Sequence, residues 1–242
     1  MAQRNAASLV SPPRIVRSEV KFWTPEEART FLIAIDGHRL EARYSVALAV
    51  GLRHGEALGL QWDDVDLTGA TLTVRHQLQR IDGVYQLTET KTERSRRTIA
   101  LPVFAVSALR AHRARQIEDR LFAGQEWQGD GWGLVFRSLR GTPLDAKNVT
   151  RRFQALLAKL GLARMRFHDL RHACAARMLA QGEHPRVVME TLGHSQISMT
   201  MNTYSHVIPA LQREAAGRMD QLLARPTTVD GGELPSKLSS NP

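Results

Sequence analysis

The sequence has a single cysteine, Cys174, and that scarcity excludes an internal disulfide and a cysteine-rich zinc module. Its neighbours Ala173, Ala175 and Ala176 mark it as a small core residue rather than a reactive thiol. No apolar run approaches the roughly 18 residues that a membrane-spanning helix requires. The first residues lack the hydrophobic segment of a signal peptide. Together these absences lead to the expectation of a soluble, cytoplasmic chain with no membrane partner. Acidic residues are also short, with 24 Asp and Glu against 33 Lys and Arg, a net charge of +9 and a pI near 10.5. Such a balance points to a polyanionic partner, nucleic acid first and an anionic membrane surface second. No segment repeats another.

What is present is ordinary globular material, 43% hydrophobic over 242 residues, enough for one large domain or two small ones. Residues 1–20 carry Ser11-Pro12-Pro13 and scattered basic groups without apolar periodicity, which predicts a flexible basic arm or linker. The domain proper is expected over 21–224, followed by a polar, disordered tail over 225–242. Thr24-Pro25-Glu26-Glu27 reads as a helix start with a capping box, the helix running to about Asp36. Further helices are expected over Leu40 to Val50, from Gly55, from Pro102 through Phe122, and over Ala146 to Leu160. The last series is Asp169 to Gln181, Pro185 to Leu192, Ile197 to about Tyr204, and Pro209 to Leu223. Between them, Thr71 to His76, Val84 to Thr88 and Arg97 to Leu101 alternate like strands, with Leu134-Val135-Phe136 as one more. Asp82-Gly83 is a hairpin turn, and the next connection would put Lys91 at the exposed tip of a second hairpin. The fold class that follows is mainly α with a small antiparallel β-sheet (α+β).

The chemistry concentrates between Arg166 and His206. His168-Asp169-Leu170-Arg171-His172, Leu192-Gly193-His194-Ser195 and Tyr204-Ser205-His206 bring imidazoles, a guanidinium and a phenol into a short span. Histidine titrates near neutrality, arginine grips phosphate with a bidentate fork, and tyrosine can act as a covalent nucleophile. One competing reading takes His168 and His172 as zinc ligands of an H-E-x-x-H type site, with Glu190 as the third. Against it, the general base would be the shorter aspartate, and the fixed charge of Arg171 would oppose a cation. The metal-free alternative is phosphodiester cleavage, which needs cations on the non-bridging oxygens, an acid for the leaving alkoxide and a nucleophile.

Gly51-Leu52-Arg53-x-Gly55-Glu56, Lys91-Thr92-x-x-Ser95-x-Arg97, His168-Asp169-Leu170-Arg171-His172, Leu192-Gly193-His194-Ser195 and Thr203-Tyr204-Ser205-His206 follow one another in this order. This ordered set resembles the signature boxes of the tyrosine recombinases, the phage-type integrases. The resemblance implies that family's catalytic-domain fold and DNA strand breakage and rejoining through a 3′-phosphotyrosine, with no cofactor. Arg53 and Arg171 match the phosphate-clamping arginines, Lys91 the lysine that protonates the leaving 5′ oxygen, and His168 the acid–base position. His194 resembles the second phosphate-contacting histidine and Tyr204 the nucleophile. Glu56 matches an acidic position that orients the arginine, and His172 is assigned to structure. Arg96, Arg97, Arg151 and Arg152 are candidate DNA backbone contacts, binding in a salt-dependent way.

The expected partner is double-stranded DNA, with self-association on DNA through the segment after Tyr204 and accessory DNA-bending proteins also admitted by the resemblance. Family members carry a helical core-site-binding domain ahead of the catalytic one, whereas only about 20 residues precede it here. An isolated catalytic domain, with reduced affinity and selectivity, is therefore expected. A catalytically silent DNA-binding module of the same fold, or a topoisomerase-like relaxing enzyme, would share much of this pattern.

Overall fold

A computed structural model describes residues 23–90, 95–129, 131–194, 196 and 208–223. The proposed arm over 1–20, the tail over 225–242 and the helix expected from Ile197 lie outside the described residues.

The first helix, α1 (Pro25–Ala34), opens with the capping box its sequence requires: Glu27 N–H donates to Thr24 Oγ1 and Thr24 N–H donates to Glu27 Oε2. Next comes α2 (Glu41–Val50), whose Ala42 to Leu48 are buried without interruption. A helix buried on every side belongs in the middle of a structure, and α2 packs against both α4 (Val103–Ala123) and α6 (Phe167–Ala180). The short α3 (His54–Leu58) follows the left-handed Gly51, and α5 (Ala146–Lys159), α7 (Pro185–Leu192) and α8 (Ile208–Leu223) complete the described helices. A ladder of rings forms the centre: Phe31 lies against Trp23, Tyr44 and Phe153, and Phe153 lies edge-on to Phe167. Such aromatic pairs add about 0.5–1.5 kcal/mol each beyond area burial, and this ladder fixes where α6 starts.

The strands depart from the expected single sheet. β1 (Val65–Asp66), β2 (Thr71–Val74) and β5 (Arg97–Ala100) form one antiparallel sheet in the order β1-β2-β5, while β3 (His76–Ile81) and β4 (Val84–Glu89) form a separate hairpin. The run Thr71 to His76 breaks at Arg75, whose guanidinium pairs with the buried Asp64 at 3.2 Å. Beyond the break, β3 lies on α3 because Gly55 and Gly59 present no side chain to it. A Cβ on Gly59 would sit 2.7 Å from Leu78 N and 2.8 Å from Gln77 C. The connection after β4 therefore crosses from one sheet to the other instead of closing a second hairpin, and Lys91 itself lies outside the described residues.

Two smaller differences follow from packing. Leu134 to Phe136 is buried but makes only a single bridge, Gln61 to Leu134, and is held by Val135 N–H on Leu60 O at 2.8 Å. Helix α6 begins at Phe167 rather than Asp169, since the Phe167 ring anchors in the aromatic ladder and Asp169 accepts from Arg166 N–H at 2.6 Å. His168 consequently sits in the first turn, at the rim.

Candidate functional site

The site is built where four chain segments meet. At the end of α2, Gly51 takes φ 63°, the left-handed value that glycine adopts without strain. A Cβ there would fall 2.7 Å from Leu192 Cδ2 and 3.4 Å from Arg171 Cγ, so this glycine lets α2 end directly on α6 and α7. Its carbonyl accepts from Arg171 Nη1 at 2.8 Å. Arg171 is 3% exposed, its guanidinium delivered from the core side of α6.

Two residues past Gly51, Arg53 caps α3. Its backbone N–H donates to Glu56 Oε2 at 2.9 Å, its Nη1 to Glu56 Oε1 at 2.6 Å and its Nη2 to Gly193 O at 2.8 Å. Glu56 is 3% exposed and also takes Arg97, through Nη2 at 2.9 Å and Nη1 at 3.2 Å. Burial alone would raise this carboxyl's pKa, but the hydrogen bond from Arg97 and the charges of Arg97 and Arg53 outweigh it and hold it at about 2. Glu56 is thus ionised at neutral pH and closes a pair of charge-assisted bonds.

The α7 helix ends at a second left-handed glycine, Gly193, which carries His194 to the same place. The half-buried His194 is lowered to about 4 by desolvation, then by the charges of Arg171, Arg53, His172 and Arg97. His168 is exposed at the rim, with its ring 4.9 Å from that of His172 and edge-on to it. Partial desolvation, then His172 and Arg171, lowers His168 to about 4, against the opposing charge of Asp169. His172 is half-buried and lowered for the same first reason, desolvation. At neutral pH the free site therefore holds two arginine cations and neutral imidazoles, each offering one donor and one acceptor.

Arg53, Arg171, His194, Glu56, His168 and His172 are thus brought together from α2–α3, α6 and the end of α7. Lys91 and Tyr204 lie outside the described residues. Among the surface candidates, Arg96, Arg151 and Arg152 are exposed, with Arg151 Nη2 on Asn148 Oδ1 at 3.1 Å. Arg97 is a correction. Expected as a DNA backbone contact, its side chain is 7% exposed and its guanidinium is spent on Glu56, Thr191 O and Ser95 O. The signal was available in strand alternation, because Arg97 shares a face of β5 with the core residue Ile99 while Arg96 and Thr98 take the other. Glu190 pairs with Arg186 at 3.0 Å on an exposed face of α7, away from the zinc arrangement considered from sequence. Among the described residues no three His, Cys, Asp or Glu side chains are grouped so that they could hold a metal ion.

His54 is the unspecified position of the first ordered box yet borders the site. Its ring lies 4.7 Å from that of Phe167, and desolvation, with the charges of Arg43 and His168, lowers it to about 3. No spacing rule marks a histidine that follows Arg53; only the fold brings it against Phe167 of α6.

Residues 21–210 match the phage integrase family. The chain is 33% identical over 222 residues to the tyrosine recombinase XerC-like protein of Caldanaerobacter subterraneus subsp. tengcongensis, covering 88% of this chain and 57% of that one. It is 30% identical over 223 residues to the ICEBs1 integrase of Bacillus subtilis, covering 91% and 60%. The chain thus spans about three-fifths of the length of these relatives. Among solved structures, the Tn1549 transposon integrase in complex with transposon right end DNA superimposes with a TM-score of 0.72 at 25% identity, over 90% of this chain and 70% of that one. The catalytic domain of bacteriophage HP1 integrase matches in fold, with a TM-score of 0.54 at 22% identity over 86% of this chain and 99% of that one. The chain belongs to the phage integrase family of tyrosine recombinases and has that family's catalytic-domain fold.

Proposed function

We propose that the chain breaks and rejoins strands of duplex DNA at specific sites, through a covalent 3′-phosphotyrosine formed by Tyr204. The observation that carries this reading is the convergence of Arg53, Arg171 and His194 from three distant segments. Two guanidiniums fixed by Glu56, Gly51 O and Gly193 O form a preorganised cationic seat, and preorganised charge favours a transition state whose non-bridging oxygens gain charge. In this reading Tyr204 Oη attacks the scissile phosphorus and the bond to the 5′ oxygen breaks. Lys91 gives that oxygen its proton, and His168 takes the phenolic proton. His194 donates its N–H to a non-bridging oxygen. A 5′-hydroxyl then attacks the phosphotyrosine and displaces Tyr204. The covalent bond conserves the phosphodiester, so neither a divalent ion nor a nucleotide cofactor is needed.

Residues 21–224 form the catalytic domain in this reading, and the exposed Arg96, Arg151 and Arg152 lie with the DNA-facing basic surface. Helix α8 is the segment assigned to self-association on DNA; it shows Met219, Leu222 and Leu223 at 52%, 76% and 68% exposure. The test is trapping on nicked duplex DNA in EDTA. The wild-type chain is expected to form a covalent protein–DNA adduct, and Tyr204→Phe to form none while still binding duplex. An adduct that persists in Tyr204→Phe, or wild-type protein that binds without any adduct, would sink the assignment; the second result identifies a silent DNA-binding module.

A further inference from the structure

Arg97 ties together three segments that border the site. Its Nε donates to Thr191 O at 2.7 Å, at the end of α7. Its Nη1 donates to Ser95 O at 3.1 Å, in the connection that leads from Lys91 into β5. The remaining donors take both carboxylate oxygens of Glu56, at 3.2 and 2.9 Å. The guanidinium also lies directly under the Gly193 turn. A Cβ at Gly193 would stand 2.9 Å from Arg97 Nη1 and 3.1 Å from Cζ, so the turn closes onto the arginine only because residue 193 has no side chain. From the opposite direction, Arg53 Nη2 grips Gly193 O at 2.8 Å. The residue that follows is His194. One planar fork therefore ties the Arg53–Glu56 cap, the end of the Lys91 connection and the turn carrying His194 into a single body.

We propose that Arg97 is a positioning residue, which sets Arg53 and His194 against the same phosphate by locking Glu56 to the Gly193 turn. This rests on the strand-cleavage reading above. The side chain touches no DNA in this role and acts through Glu56, Gly193 and Ser95. Arginine is required because its donors point in fixed, divergent directions; a lysine ammonium is one point and cannot span Glu56 and Thr191 O together. Without the fork, the His194 turn and Arg53 lose their common reference, and displacement of a clamp by about 1 Å is enough to cost on the order of a hundredfold in the chemical step.

The experiment uses the full chain with Arg97→Met and Arg97→Lys, beside wild type. Adduct formation on nicked duplex is followed at saturating DNA, duplex affinity is measured across a salt series, and the His194 ring is titrated by NMR. Arg97→Met is expected to form adduct on the order of a hundredfold more slowly once bound, with affinity and its salt dependence nearly unchanged. Arg97→Lys is expected to be intermediate, and the His194 midpoint to move up toward 6.5 as the turn opens and a neighbouring charge is lost. Thermal unfolding is run on both variants, and if Arg97→Met fails to fold, Arg97→Lys carries the comparison. Two results would overturn the proposal. One is adduct formation at the wild-type rate with an unmoved His194 midpoint. The other is weaker binding with a salt slope reduced by about 0.9, the loss of one phosphate contact, while bound DNA is cleaved normally. If wild type forms no adduct at all, the cleavage reading fails, and the His194 midpoint still decides whether Arg97 holds the turn.

Discussion

Arg97 and Arg43 are both taken out of water in this domain, and they are treated in opposite ways. Arg97 meets the ionised Glu56 and two backbone carbonyls, so that all of its nitrogens have acceptors. Arg43, on α2, is 0% exposed, and none of its Nε, Nη1 and Nη2 has a hydrogen-bond partner among the described residues. It lies flat over the Phe167 ring, 4.2 Å from the centroid, and desolvation lowers its pKa to about 10. A cation over an aromatic face gains about 2 kcal/mol when desolvated, less than the several kcal/mol that desolvation of an ion costs. The contrast separates two uses of a buried charge. Where geometry must be held, every nitrogen is answered, and stability and position are obtained together. Where only volume and a ring face are filled, the charge is tolerated at a loss.

The largest effect should come from breaking the answered site. Glu56→Ala leaves Arg97 buried without its carboxylate and is expected to cost about 3–5 kcal/mol, the range for removing one partner of a buried pair. Urea unfolding of the variant checks it, and a loss under about 1 kcal/mol, the range of exposed pairs, would show that the two arginines are solvated after all. Next in size is the unanswered site. Arg43→Met keeps the contact with Phe167 and removes the charge, so it should be neutral or stabilising by up to about 4 kcal/mol. A clear loss of stability would mean that Arg43 holds something that its surroundings do not reveal.

The smallest effect is in pH. Unfolded histidine titrates near 6.5, whereas His168 and His194 are held at about 4 and His54 at about 3. Between these values the unfolded chain binds more protons, so stability falls as pH drops from 6.5 toward 4. Glu56, at about 2 against 4.5, contributes stability present above 4.5 and lost as pH falls through 2. Thermal midpoints across pH should show an upper stage and a lower one. His194→Asn should shrink only the upper stage, and modestly, because the ring is half-exposed and screened. An unchanged upper stage in that variant would remove His194 from the cause.

The local elements were readable because their causes are local. The capping box at Thr24 and Glu27, the Asp82-Gly83 turn, and the helix from Pro185 to Leu192 between proline and glycine follow from backbone chemistry within a few residues. The grouping of Arg53, Arg171 and His194 was legible as ordered boxes and could not be derived from periodicity. The strand assignment went astray where the cause was remote. Thr71 to His76 alternates as one strand, and only the seat offered by Gly55 and Gly59 on α3 draws β3 into a hairpin of its own.

The mainly α character, the basic charge, and the helices capped at Thr24 and between Pro185 and Gly193 follow from the residues alone. Which charged groups face each other is set by contacts between remote segments. Arg96 and Arg97 are adjacent and alike in sequence, yet one is exposed and the other is locked on Glu56, 41 residues away. Charge and propensity belong to a residue, while desolvation belongs to its neighbours, and Glu56 of α3 and Thr191 of α7 reach Arg97 only once the core has closed.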